Sequence, residues 1–322
     1  MNSINIENNL KSLQLQYPPI FNKMDHEKYV NDWREQYVGK TYAVLRPSNT
    51  EEVSNILKFA SENNITIVPQ GGNTGLCGGA TPDKSGNSII LSLEKMNKIR
   101  SFNKQAKTIT VDAGVILSSI HEKVEQEDLF FPLSLGAKGS CMIGGNLSTN
   151  AGGINVLKYG NSRELCLGLE VVLPDGKIMN LLTELKKDNT GYDLKNLFIG
   201  AEGTLGIITG ATLKLFPLPK KITTFFVEAN TIFNALKLLN ILQLEFPGSI
   251  ESFEIMPNTF WVVAKNNIDN IVMPLEKMPK MGVLVDISSY SNIDIKQNNK
   301  GEIPIINKIE NILAECLENN LI

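Results

Sequence analysis

The chain has 322 residues, room for about two domains of ordinary size and a sizeable buried core. Its 42% hydrophobic and 20% charged content is that of a globular protein. A net charge of -3 leaves no basic face for a polyanion, which argues against a nucleic-acid partner.

No apolar stretch approaches the roughly 18 residues that a membrane span requires. The opening MNSINIENNLKSLQLQYPPI lacks the basic-then-apolar order of a secretory signal and the arginines of a transit peptide. Cys77, Cys141, Cys166 and Cys316 are scattered, form no CxxC and read as free thiols in a reducing compartment, so the expected localisation is cytoplasmic. His26 and His121 are the only histidines, and neither sits near another obvious ligand. A histidine-based metal site or catalytic triad is poorly supplied, and no metal ligand is assigned.

Residues 1–40 read as a helical segment, with Tyr29, Trp33 and Tyr37 at helical spacing as anchors onto the main body. YAVLRP (42–47) reads as a strand. Ser48 and Glu51 fit a capping box, and Val53, Ile56, Leu57 and Ala60 give an amphipathic helix. Strands are expected at 65–69, 88–93 and 108–114, and a helix near 115–126. A strand over 165–173 runs into a PDGK hairpin turn, and GIITGATLKLF (206–216) is a further strand. PLPK (217–220) marks a boundary. Beyond it come strand (223–229), helix (231–244), strand (250–255), helix from Pro257, strand (281–288) and a last helix over 303–319. That helix presents Ile306, Ile309, Ile312 and Leu313 on one face. The expected fold class is α+β, with an N-terminal helical segment (1–40), a cofactor domain (41–219) of two α+β subdomains, and an incomplete α+β cap (220–322). The cap pattern ends without a closing strand, which leaves a sheet edge unpaired.

Three glycine-rich segments carry the chemistry. The first, PQGGNTGLCGG (69–79), follows a strand directly. So many glycines cost backbone entropy unless the chain needs positive φ or close approach to a ligand. Consecutive amides in such a loop form a nest for an anion such as a pyrophosphate, with Asn73 and Thr74 as added side-chain donors. If φ is positive at Gly72, a β-branched residue there strains the backbone and blocks the anion. No Gly-Lys-Ser/Thr follows, so this is not a Walker A loop, and GxGxxG opening a helix is absent. The second, PLSLGAKGSCMIGGNLSTNAGG (132–153), is long and built of small residues, which is unusual for a purely structural loop. The third, GAEGTLGII (200–208), enters a strand; Gly203 and Gly206 allow close approach, and Ile207 and Ile208 present backbone to a ring. Read singly, each is also compatible with an ordinary surface turn. Together they point to a dinucleotide held in an extended form.

GGNTGLCGG, PLSLGAKGSCMIGGNLSTNAGG, LKYG, LEVVLPDG, KKDNTGYDLKNLFIGAEGTLGIIT and FPLPK resemble the FAD-linked 2-hydroxyacid dehydrogenase branch of the vanillyl-alcohol-oxidase/PCMH-type flavoproteins. That branch takes in D-2-hydroxyglutarate and D-lactate dehydrogenases and a component of glycolate oxidase. The resemblance covers residues 30–260 and is nearly unbroken through 69–217. It implies an oxidoreductase with a PCMH-type FAD-binding domain followed by a cap. Gly71, Gly72, Asn73, Thr74, Gly75 and Leu76 are then expected on the pyrophosphate. Leu135, Gly136, Gly139, Ser140, Ile143, Gly144, Gly145, Asn150, Gly152 and Gly153, with Tyr159 and Gly160, are expected along the flavin and ribityl arm. Glu202, Gly203, Gly206 and Ile208 hold the adenosine–flavin side. Asn73 stands where some relatives have the histidine that bonds FAD, so the FAD is expected to be noncovalent. In KDNTGYD (187–193), Asn189 and Tyr192 either face the flavin or belong to a polar turn.

The implied reaction removes the hydroxyl proton of a D-2-hydroxy acid with a base while the Cα hydride moves to flavin N5. The electrons then pass to a flavoprotein or quinone acceptor. The family's substrate cations and its zinc or other divalent metal site belong to a part of the cap without counterpart here. No catalytic residue is therefore assigned, and His121 reads as a solvated helix face. Two readings follow: a fragment or split half of a dehydrogenase, completed by a second chain, or a non-catalytic FAD-binding module.

Overall fold

The structure is a computed structural model and describes residues 3–299 and 301–322. The chain folds as two units. One comprises the residues up to Gly152 together with Asn161–Phe216, and the other comprises Gly153–Gly160 with Pro217–Ile322.

In the first unit, α1 (Ser3–Ser12) and α2 (Glu27–Val30) precede the sheets. The helix expected through residues 31–40 is absent. Asp32 instead accepts from the amides of Arg34 (3.2 Å) and Tyr37 (2.6 Å), closing a turn. A short side-chain acceptor competes for the amides a helix would use. Tyr29 is buried as expected, but Trp33 is 69% exposed and does not anchor the segment.

β1 (Ala43–Leu45), α3 (Thr50–Glu62), β2 (Ile67–Gln70) and β3 (Ile89–Ser92) build a parallel sheet of order β1-β3-β2. Parallel strands of one sheet need a crossover, and α3 supplies the one from β1 to β2, which flank β3. Val53, Ile56, Leu57 and Ala60 are its buried face. The expected capping box is displaced by one residue. Asn49, not Ser48, is the cap: its Oδ1 accepts the Glu52 amide (2.9 Å), and Glu52 returns to the Ser48 amide and hydroxyl.

The remaining elements are β4 (Ile99–Asn103), β5 (Thr108–Asp112), α4 (Leu117–Glu125), β6 (Leu129–Phe130), α5 (Ile143–Ser148), α6 (Val156–Tyr159, part of the other unit), α7 (Ser162–Leu165), β7 (Cys166–Val172), β8 (Ile178–Leu181), α8 (Lys195–Phe198), β9 (Ile207–Lys214) and β10 (Phe216–Pro217). β4-β5-β9-β7-β8 form an antiparallel sheet. The two edge strands, β4 and β8, are additions to the elements expected from sequence. Neither contains a fully buried residue.

Arg100 on β4 ties this sheet together. Its Nε donates to Asp112 (2.6 Å) and its Nη2 to Glu170 (2.8 Å). Glu170 also accepts from Thr50 at the start of α3 and from Thr209. Burial alone would push the Glu170 carboxyl up, but the hydrogen bonds from Arg100, Thr50 and Thr209 outweigh it and hold it below its usual value.

The second unit contains β11 (Lys221–Glu228), α9 (Ile232–Glu245), β12 (Ile250–Pro257), α10 (Asn258–Asn267), β13 (Met281–Ser289), α11 (Asn292–Ile295) and α12 (Pro304–Glu318). Its antiparallel sheet has the order β11-β13-β12, so β11 and β12 are the outer strands among the described residues. Ala235, Leu238 and Leu242 of α9 and Ile305, Ile309, Ile312 and Cys316 of α12 pack on Val283, Val285 and Ile287 of β13. Ile306 and Leu313, expected on the central stripe, lie at its margin.

Replacing Arg100 with Met leaves two largely buried carboxylates without their cation. The expected cost is about 3–5 kcal/mol, read by urea denaturation at neutral pH. Because the Glu170 pKa is lowered in the folded protein, the wild-type advantage is full at neutral pH. It fades as the pH falls through the carboxylate range.

Candidate cofactor-binding site

Three loops of the first unit converge. The first leaves β2 at Gly71. Among the described residues, no hydrogen bond uses the amides of residues 71–76, a run of bare donors of the kind that cradles an anion. Asn73 sits at φ 51°, in the left-handed region. Its side-chain amide donates to the carbonyls of Asn31 (2.7 Å) and Lys28 (3.3 Å). The side chain thus fixes the loop and is not the ligand donor expected from the sequence. Gly72 does not have positive φ, which corrects the expected reason for its presence. A Cβ there would lie 2.0 Å from the Ser140 carbonyl oxygen, so Gly72 is required by close packing against the second loop.

That second loop turns at Leu135–Ser140, where the amides of Ser140 and Cys141 both donate to Ala137. It then enters α5. The amides of Ile143 and Gly144 donate to Val115 and Ala113. A Cβ on Gly144 would lie 2.7 Å from that of Ala113. Gly75, Gly136, Gly139 and Gly145, by contrast, face open space, with nothing within 4 Å of an added Cβ. The glycines therefore fall into two kinds, those that let loops touch and those that leave a cradle empty. Asn146 on α5 is buried, and its Oδ1 has no partner among the described residues.

The third loop closes on the end of α5. Gly200 and Glu202 donate their amides to the carbonyls of Leu147 (3.0 Å) and Ser148 (2.9 Å). Glu202 at φ 52° and Asn150 at φ 47° are left-handed, as is Gly203 at φ 78°. Asn150 accepts the Arg163 amide (3.0 Å), and the Arg163 guanidinium donates to the carbonyls of Asn196 and Ile199. Gly152 ends this part of the chain, whereas Gly153, Tyr159 and Gly160 are folded with the second unit. Asn189 and Tyr192 lie in an exposed loop, with Tyr192 93% exposed.

One wall of a nearby cavity, that supplied by α3, has no local sequence signal. Pro69, Gly203, Gly206 and Ile207, with Leu57, Ala60 and Ser61 of α3, line a largely apolar cavity of about 230 Å³. Amphipathicity marks the α3 residues only as core. Ile207, rather than Ile208, is the isoleucine on the cavity; Ile208 is buried in β9 opposite Val171. His121 is half-buried, not on a solvated face. Its Nε2 lies 3.1 Å from the Leu133 carbonyl, and burial pushes its pKa down. Among the described residues no group of three or more His, Cys, Asp or Glu side chains could hold a metal ion.

Bare amides, open glycine faces and an apolar slot fit the pyrophosphate, the elongated middle and a planar ring of a dinucleotide. Comparison with known proteins agrees. Residues 41–182 match the FAD binding domain family. A D-2-hydroxyglutarate–pyruvate transhydrogenase of Saccharomyces cerevisiae is 39% identical over 257 residues, 80% of this chain and 51% of that protein. Mitochondrial D-2-hydroxyglutarate dehydrogenases of Bos taurus (44% over 225 residues; 70% and 41%) and Arabidopsis thaliana (35% over 291; 90% and 50%) also match. The chain spans about half the length of these relatives. In fold it is similar to alkyldihydroxyacetonephosphate synthase (TM-score 0.75, 17% identity, 98% of this chain and 61% of that one). It is also similar to 6-hydroxy-D-nicotine oxidase of Arthrobacter nicotinovorans (TM-score 0.63, 19% identity, 88% and 57%).

The first unit thus carries an FAD binding domain. Over their matched lengths the chain is similar to D-2-hydroxyglutarate dehydrogenases, in keeping with the resemblance read from its motifs. The cytoplasmic expectation is overturned, because the cattle and A. thaliana relatives are named as mitochondrial enzymes.

The two kinds of glycine separate experimentally. Gly75→Ala and Gly145→Ala leave the apoprotein's thermal midpoint unchanged but weaken FAD by roughly tenfold, about 1.4 kcal/mol. Gly72→Ala destabilises the apoprotein itself by about 1–3 kcal/mol, through the clash with Ser140. Calorimetric melting and FAD titration of the three variants check both statements.

Proposed function

We propose that this chain forms the flavin half of an enzyme that oxidises a D-2-hydroxy acid, of the D-2-hydroxyglutarate or D-lactate type, to the 2-oxo acid. The observation that carries the reading is the run of unpaired amides at 71–76, set beside glycines that leave open space. The pyrophosphate rests on Gly71–Leu76 and the flavin and ribityl arm on the Leu135–Gly153 stretch. The adenine occupies the cavity beside Pro69, Gly203 and Ile207, where it meets apolar walls. When bound, FAD supplies the hydride acceptor for the alcohol carbon. The protein's own part is to hold that ring system and keep water from it.

The cofactor is noncovalent: Asn73 offers no nucleophile, and its side chain is committed to the Asn31 and Lys28 carbonyls. Asn189 and Tyr192 turn towards the flavin in the loaded protein. A flavoprotein or quinone accepts the electrons.

Purified with FAD, the chain retains flavin through gel filtration, and acid precipitation releases all of it into the supernatant. Either hydroxy acid reduces the bound flavin only after the C-terminal half of a relative is added. Failure to retain flavin contradicts the reading. A bound flavin that no such complementation makes reducible marks a binding module without catalysis.

A further inference from the structure

The first glycine-rich loop is fastened to residues that precede the matched FAD binding span, which begins at residue 41. The last carbonyls of a helix have no partner within it. Those at the end of α2 are taken up by side chains of the first loop and of the strand that leads into it. Gln70, at the end of β2, donates to the Tyr29 carbonyl (2.8 Å) and also to that of Ala80 (2.9 Å). Asn73 donates to the carbonyls of Asn31 (2.7 Å) and Lys28 (3.3 Å). Gln70 and Tyr29 are both buried.

Beyond α2 the chain closes a turn. Asn31 bridges Val38, and the Gly39 amide donates to the Val30 carbonyl (2.9 Å). Asp32 holds this turn from within. It is buried, and its carboxylate accepts the amides of Tyr37 (2.6 Å) and Arg34 (3.2 Å). The turn lays the Tyr37 ring on the first loop: a Cβ on Gly78, at φ 71°, would lie 2.7 Å from that ring. Residues 28–38 therefore touch the loop before, within and after its run of unpaired amides, at Gln70, Asn73 and Gly78. Asn73 has φ 51°, and the direction of successive amides in a nest depends on such torsions. Its side chain is held by the Asn31 carbonyl, and the Asp32 turn begins at the next residue.

We propose that residues 28–38 are a brace for the diphosphate of the cofactor and that Asp32 is a positioning residue in it. Asp32 touches no ligand. It sets the Asn31 carbonyl, the carbonyl sets Asn73, and Asn73 sets the amides of 71–76. The inference rests on the proposed FAD reading.

The test compares Asp32→Ala, Asn73→Gly and the double variant with the wild type. FAD is titrated into each apoprotein, as is ADP, which carries a diphosphate without the flavin. Asn73→Gly keeps a residue tolerant of left-handed backbone and removes the clamp. Each single variant binds FAD and ADP roughly tenfold more weakly, by like factors, with its far-ultraviolet circular dichroism unchanged. The double variant binds no more weakly than Asn73→Gly alone, because one residue acts through the other. If Asp32→Ala fails to fold, Asp32→Asn, which keeps the side-chain shape and one acceptor, must weaken both ligands and lose that effect in the Asn73→Gly background. Full affinity in a folded Asp32 variant, a loss confined to FAD, or losses that multiply in the double variant overturn the inference and leave the FAD reading intact. A wild-type chain that binds no FAD overturns both.

Discussion

The candidate site depends on one close approach, that of Gly72 to the carbonyl of Ser140. The 2.0 Å distance an added Cβ would have means that two loops, nearly seventy residues apart in sequence, meet backbone to backbone. Neither loop has much side-chain mass to bury, so hydrophobic packing alone would not hold them in register. Contact without intervening side chains does, and it leaves the amides of 71–76 without hydrogen bonds among the described residues. α5 is then fixed at both ends by main-chain bonds: its first amides by Val115 and Ala113, its last carbonyls by Gly200 and Glu202. The cradle is built from backbone fastened to backbone, which is why its composition is so poor in large residues.

Such a frame carries a conformational cost, and its location is informative. Asn73, Asn150 and Glu202 adopt left-handed backbone, one in each of the three loops. Each costs on the order of 1 kcal/mol for a residue other than glycine, less for Asn. Two of the three are offset on the spot: Asn73 by the Asn31 carbonyl and Asn150 by the Arg163 amide. Glu202 is held through its own amide by Ser148. The strain is thus met by protein contacts that need no ligand. The amides of residues 71–76 take no part in those contacts among the described residues and are free to meet an anion.

Much of this was legible in the sequence where a signal is local. The three glycine-rich segments could be placed because glycine density is itself a backbone statement. Strands with apolar runs, such as β3 and β5, and helices with a clear apolar stripe, such as α3 and α12, were legible by periodicity. What escaped was decided at a distance. β4 and β8 are edge strands without buried residues, and they exist because a neighbour offers hydrogen bonds. Residues 31–38 keep helical spacing, but Asp32 captures the amides. Leu57 and Ala60 look like core from their own helix, and only the folded chain shows them sharing a cavity wall with Gly203 and Gly206. Gly72 answers to packing and not to the positive φ considered from the sequence, since torsion can be guessed locally and the Ser140 carbonyl cannot.

The buried ion pair of Lys158 on α6 with Glu251 on β12 belongs to the same class of long-range decisions, and it divides the work of the glycine-rich loop. The stretch up to Gly152 is set by the first unit's backbone contacts, while its continuation from Gly153 is set by a charge pair in the second. Backbone contacts of the first kind respond to volume: any side chain in the wrong place is excluded. A buried charge pair responds to chemistry: it tolerates a change of shape better than the loss of a partner.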